Sequence, residues 1–108
     1  TLGTPRERAA LRPDDIMRIG DHLLGTRRYD PALTLFRRYI AEHPRGPYLD
    51  WAFLGAGMAL LHGRRQTAAA YQYFLQVLDA DPSPKAEEEA RRMIAMIEAM
   101  DRHRRRRG

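Results

Sequence analysis

Cysteine is missing from this chain, and serine occurs only once. Without thiols, disulfide bonds, thiolate zinc sites and cysteine nucleophiles are excluded. The one serine, Ser83, stands directly before Pro84, a pattern typical of a helix N-cap rather than of a nucleophile. No apolar run approaches the roughly 20 residues that a helix needs to cross a bilayer. The 108 residues suffice for one domain with its own hydrophobic core.

Groups that carry out catalysis are equally scarce. The four histidines have no second ligand residue at the i+3 or i+4 spacing of a helical metal site. Gly55-Ala56-Gly57 lacks the third glycine of a phosphate-binding loop and lies inside a helical pattern. The acidic run at 87–89 falls in the first turns of a predicted helix, where the macrodipole favours negative charge. We therefore expect no enzymatic activity, no metal site and no cofactor.

The net charge of +5 is concentrated at the two ends of the chain. Residues 14–100 carry 11 basic and 12 acidic side chains, so the body is nearly neutral. The arginine-rich end, Arg102–Arg107, contains no aromatic residue that could stack on bases, and nucleic acid is therefore not an expected partner. Contact with an anionic membrane is expected only through this basic tail. The tail can equally be a solubilising end or a junction to further sequence.

Residues typical of helix starts and ends are frequent along the chain, and strand signals are few. Thr4 and Glu7 form a capping box, and Asp30, Thr67 and Ser83 are predicted N-caps. Pro47 is expected to open a helix in the same way. The predicted helices span the following ranges: about 5–11, 14–25, 30–43, 47–63, 67–81 and 84–100.

An internal repeat appears when the chain is shifted by 38 residues. Each repeated unit reads as helix, short turn, helix and proline. Small residues stand where two antiparallel helices must approach closely, and a phenylalanine follows one turn later on the same face. Stacking the second hairpin on the first would bury apolar faces that neither can cover alone. The coinciding pairs are Leu23 and Leu61, Gly25 and Gly63, Ala32 and Ala70, Phe36 and Phe74, Ile40 and Leu78, and Pro44 and Pro82.

These residues resemble the tetratricopeptide repeat (TPR) family. The first unit fits the family pattern with Ile16, Ile19, Gly20, Leu23, Tyr29, Ala32, Phe36, Tyr39 and Pro44. The second unit fits with Ala70, Phe74, Val77 and Pro82, but Gly57-Met58 reverses the large-then-small order of the first helix. The stretch from Tyr29 to Tyr48 is similar to the long-period type in bacterial envelope-assembly proteins. The stretch from Phe53 to Asp79 is similar to chaperones of type III secretion translocators.

The resemblance implies an all-α fold, a right-handed superhelical stack of two helix-turn-helix hairpins. A short N-terminal helical extension would occupy residues 1–13, with the repeats at 14–44 and 45–82. A capping helix would follow at 83–101, and a basic tail at 102–108. The second repeat is expected to begin its first helix a turn early or to have a longer entry loop.

The function that the resemblance implies is a non-enzymatic scaffold, which binds a peptide segment or a partner protein on its concave face. The ligand-facing positions carried over from the family are Met17, Asp21, Leu24, Ala52, Gly55, Ala59 and His62. They lack the lysine and asparagine with which some relatives grip a C-terminal carboxylate.

Several alternatives stay open at this point. Gly55, Ala56 and Ala59 can be small merely to pack a neighbouring helix, and residues 1–12 can fold into the groove themselves. The methionine-rich last helix can join two copies of the chain, or the module can act as a secretion-type chaperone. The sequence does not identify a compartment: the cytoplasm is the default, and a bacterial periplasmic location would require a signal or anchor before Thr1.

Overall fold

The computed structural model describes residues 12–107. This part of the chain contains helices and no strand, which confirms the all-α prediction. The expected helix at 5–11 lies outside the described residues. Within the described part, no helix combines the length and apolar character needed to span a membrane. The helices are α1 (Pro13–Gly25), α2 (Tyr29–Glu42), α3 (Leu49–Ala59), α4 (Thr67–Asp79) and α5 (Pro84–Arg107), and α3 continues into a π-helical turn (Leu60–Arg64).

Two of the predicted N-caps are wrong, because each lies inside its helix. The cap of α2 is Arg28 and that of α4 is Gln66, and neither makes a side-chain capping bond. Asp30 instead lies in the first turn of α2, where the macrodipole favours a carboxylate. The expected start at Pro47 is also wrong, since α3 begins at Leu49.

Ser83 is a genuine cap. Its Oγ accepts a hydrogen bond from the amide of Ala86 at 3.3 Å. The helix that it starts extends beyond the segment expected to close the stack, because the basic tail is helical through Arg107. Arginines at a helix C-terminus are favoured by the macrodipole, which accounts for this extension.

The helices pack in chain order around one core, and α3 also touches the other two odd-numbered helices. The backbone of α3 contacts those of α1 and α5, whereas α2 and α4, both fully described, have no Cα atoms within 8 Å of one another. The largest fully buried side chains come from both hairpins: Leu33, Phe36, Tyr39, Leu60, Phe74 and Val77.

Phe36 and Phe74 occupy equivalent positions, since each packs against a glycine in the first helix of its hairpin. Phe36 and Phe74 are 1% and 0% exposed. A Cβ on Gly20 would collide with the ring of Phe36, and a Cβ on Gly57 would lie 2.6 Å from the ring of Phe74. Gly55 of α3 closes the other side of Phe36, since a Cβ there would lie 2.5 Å from that ring. Each phenylalanine therefore requires a glycine on the first helix of its own hairpin.

The turn between the two helices of each hairpin repeats in its backbone angles. Arg27 and Arg65 both have left-handed backbones, with φ of 62° and 54°. The residues that follow them also match: Arg28 has φ −92° and ψ 73°, and Gln66 has φ −89° and ψ 79°. The offset of 38 residues is therefore a structural repeat in this turn and in the second helix.

The first helices of the two hairpins, α1 and α3, are related by an offset other than 38 residues. The amide of Arg28 bonds the carbonyl oxygen of Leu23, five residues earlier, whereas the amide of Gln66 bonds that of Leu60, six residues earlier. Leu23 thus corresponds to Leu60, and its expected pairing with Leu61 is wrong. The extra residue lies in the π-helical turn, and it explains the reversed order at Gly57-Met58.

Candidate functional site

Within residues 12–107, the side of α3 that points away from α2 and α4 is only partly covered. Gly55 packs on α2 and Gly57 on α4, and the two positions are about 200° apart on the helix. Ala56 faces between these helices and is 0% exposed. Trp51 and Met58 lie on the opposite side, seven residues apart, and both are only partly buried.

Helix α1 contributes the neighbouring part of this open surface. Met17, Asp21 and Leu24 follow the four- and three-residue spacing of one helix face. Met17 and Leu24 pack partly against the core, and Asp21 is exposed. Because α1 and α3 are in backbone contact, the two sets form one continuous strip, which we call the inner face. Its accessible residues are Met17, Asp21, Leu24, Trp51, Met58 and His62, whereas Leu54 and Leu61 lie on the same side of the helix but are only 8% and 9% exposed.

Three of the ligand-facing residues expected from the sequence do not lie on this strip. Ala52 and Ala59 are 0% and 1% exposed, and Gly55 is buried against Phe36. The structure places them in the core, where they offer a ligand no accessible surface. Met17, Asp21, Leu24 and His62 do reach the surface, wholly or in part.

The one-residue change of register accounts for this displacement. In α3 the positions that match Met17, Asp21 and Leu24 by packing are Leu54, Met58 and Leu61, each one residue before the expected position. The sequence carries a signal for it, because Leu23-Leu24-Gly25 is followed in the second unit by Leu60-Leu61-His62-Gly63. Read this way, His62 is the inserted residue.

The π-helical turn displays His62 at one end of the inner face. His62 is exposed, and its ring centroid lies 6.4 Å from that of Tyr29. The next residue, Gly63, lies against Tyr29 so closely that a Cβ there would collide with it. An ion pair of 2.9 Å between Arg64 Nε and Asp30 Oδ1 ties the turn to α2. π-helical turns of this kind are common at functional sites.

Asp21 is the acidic group of the inner face. The protein atoms around Asp21 desolvate part of its carboxyl and raise its pKa above the ordinary value, because desolvation disfavours the charged form. A cationic group placed beside Asp21 would restore the favoured ionised state. The inner face therefore combines an apolar centre with one carboxylate that gains from a positive partner.

A buried carboxylate elsewhere has a structural role. Asp50 is 8% exposed, and its Oδ2 accepts a hydrogen bond from the amide of Ser83 at 2.9 Å. Its Oδ1 accepts one from the amide of Trp51 at 2.9 Å. Asp50 thereby ties the start of α3 to the turn before α5, which sequence reasoning missed. Among the residues that the structure describes, no three metal-binding side chains form a cluster.

A second concavity, of about 440 Å³, lies between the start of α4 and the second half of α5. Tyr71 and Glu98 meet at its edge, where the Tyr71 hydroxyl donates to Glu98 Oε2 at 2.8 Å. Met100 and Arg104 form the part of its wall that belongs to the end of α5.

The inner face has the chemistry of a binding surface. An indole, two thioethers and the Leu24 side chain supply apolar contact, and Asp21 supplies one point of charge. Such a strip can hold an extended or helical segment of another chain. Comparisons with protein families, with curated proteins and with solved structures found no match to this chain.

Proposed function

We propose that this chain is a protein-interaction module that binds a peptide segment of a partner along the inner face and catalyses no reaction. The arrangement is that of two TPR-like hairpins closed by α5. One observation carries the proposal: the backbone of α3 approaches those of α1 and α5, whereas the backbones of α2 and α4, bridged by a hydrogen bond from Arg37 Nε to the Tyr73 hydroxyl, do not come within 8 Å of one another. A stack of that kind bends toward its odd-numbered helices, so that the inner face lines the concave side.

The proposed ligand is a segment with apolar side chains and one cationic residue. Trp51 and Met58 provide the central apolar contact, and the unbranched Met58 side chain adapts to differently shaped partners. A lysine or arginine of the ligand would meet Asp21. The charge then fixes the direction of the segment, and the apolar contacts supply most of the affinity.

Trp51 is the chain's one tryptophan, so its fluorescence reports on the inner face alone. We would select ligands from a displayed library of random peptides and titrate them against the chain while following that fluorescence. Selected peptides should be enriched in apolar residues and in lysine or arginine. Met58→Arg should weaken their binding about tenfold or more, because it places a charge in the apolar centre.

The matched control is Thr34→Arg, which adds the same side chain at an exposed position on α2. It should leave the affinity unchanged, and both variants should keep the helical circular dichroism of the parent. Peptides that bind Met58→Arg and the parent equally well, without altering the Trp51 fluorescence, would rule out the inner face as the binding site.

A further inference from the structure

The exposed side of α5 is an apolar and charged seam without a partner among the described residues. Met96 and Met100 are 38% and 40% exposed, and every residue from Glu98 to Arg106 is exposed. The helix has 24 residues, against 11–14 in α1–α4, so its end extends past the helices on which it packs.

Side chains along this seam follow a heptad spacing. Successive members are three or four residues apart, which keeps them on one side of a helix as in a coiled coil. Met96 and Ala99 are at the centre, and the alternation of a large and a small side chain allows a second helix to approach closely. In order along the helix, the seam residues are Glu89, Arg92, Met96, Ala99, His103 and Arg106.

The seam begins with an acidic residue, Glu89, and ends with a basic one, Arg106. Glu88 and Glu89 stand at the beginning, where both pair with Arg92 at 3.4 Å and 2.9 Å. Arg106 stands at the other end, beyond Asp101, the last acidic residue of the helix. A helix with this pattern complements a copy of itself that runs in the opposite direction.

We propose that α5 pairs antiparallel with α5 of a second copy of the chain. In the matching register Met96 lies opposite Ala99 of the second copy, and Glu89 lies opposite its Arg106. The arrangement is two-fold symmetric, so both contacts form twice. A parallel pair would instead place the arginine-rich ends side by side, where like charges repel. This pairing does not depend on peptide binding by the inner face.

Because the chain has no cysteine, single cysteines report the register directly. Glu89→Cys alone should give no disulfide dimer on oxidation, since two copies of residue 89 would be about 25 Å apart in the antiparallel pair. An equimolar mixture of Glu89→Cys and Arg106→Cys should give the mixed dimer efficiently. Efficient cross-linking of Glu89→Cys to itself, or none in the mixture, would overturn the proposal.

Charge reversal provides an independent measurement by sedimentation equilibrium. The parent chain of 12.5 kDa should approach twice that mass as its concentration rises at low salt. Glu89→Arg or Arg106→Glu should each weaken dimerisation about tenfold, and the double variant should recover it. Glu42→Arg, a reversal at an exposed position off the seam, should have no effect.

Met96→Glu tests the apolar centre of the seam and should leave a monomer with unchanged helicity. A parent chain that stays monomeric at millimolar concentration, or a dimer that Met96→Glu does not weaken, would refute the pairing. So would association that appears only when anionic vesicles or nucleic acid are added, since the arginines would then serve a different partner.

Discussion

The amide of Gln66 donates a hydrogen bond of 3.0 Å to the carbonyl oxygen of Leu60, across one residue more than the matching bond in the first hairpin. This longer span is the π-helical turn, and His62 is the residue that it accommodates. Because of this turn, residues of α3 match residues of α1 that stand 37 positions earlier, whereas residues of α4 match residues of α2 that stand 38 positions earlier. As a result, Phe74 can pack on Gly57 although Met58 occupies the position expected for the small residue.

Deleting His62 should convert the π-helical turn into regular α-helix and leave the fold intact. The shortened turn would then read Leu60-Leu61-Gly63, as Leu23-Leu24-Gly25 does in the first hairpin. We expect the free energy of unfolding, measured by urea denaturation, to change by no more than about 1 kcal/mol. Peptide binding on the inner face should change, because the exposed imidazole is lost.

The matched control is deletion of Ala56, which is 0% exposed in the regular part of α3. It would rotate the two parts of α3 by about 100° relative to one another and separate Gly55 or Gly57 from its phenylalanine. This variant should unfold or lose most of its stability. Equal damage from the two deletions would show that the π-helical turn does not accommodate an inserted residue.

Gly57→Ala should destabilise the chain by about 1–3 kcal/mol, because the added Cβ would meet the buried ring of Phe74. Gly25→Ala is the matched control, since a Cβ at Gly25 meets nothing within 4 Å. It should be neutral or slightly stabilising, because alanine has less backbone entropy to lose. Urea denaturation of both variants measures the difference. Equal stabilities would contradict the close contact between Gly57 and the ring of Phe74.

Asp21→Asn should stabilise the chain near neutral pH relative to the parent, and the difference should shrink in acid. The raised pKa of Asp21 means that its contribution to stability is present below the ordinary value of 3.8 and is lost as the pH rises through the raised value. Thermal unfolding of both chains between about pH 3 and pH 7 measures the difference. A difference that does not vary with pH would contradict the desolvation of this carboxyl.

Tyr71 should titrate above its ordinary value of 10.0, because its hydrogen bond to Glu98 raises the pKa of the phenol. The stability that this bond contributes is present below the ordinary pKa and is lost as the pH rises through the raised one. Glu98→Ala should lower the pKa of Tyr71, as followed by NMR of the ring carbon that bears the hydroxyl. Glu42→Ala should leave it unchanged, and equal titrations in all three chains would show that Glu98 has no influence.

Much of the fold could be predicted from the sequence, because its signals are local. The spacing of apolar residues and the positions of proline and glycine predicted the helices of the described part. The coincidence of Phe36 with Phe74 predicted the repeat. The N-caps predicted at Asp30 and Thr67 are wrong, because capping depends on where tertiary packing starts the helix, and the N-cap residues are Arg28 and Gln66.

The sequence by itself determined the helical character, the nearly neutral body and the basic end, since each follows from residue types and their spacing. Only the tertiary structure decided which side of α3 is partly accessible among the described residues. Ala52 and Ala59 looked available to a ligand, but a single residue in the π-helical turn rotates them into the core and brings Met58 outward. A periodic pattern identifies a helix face, whereas the neighbouring helices that pack on it determine whether that face is buried.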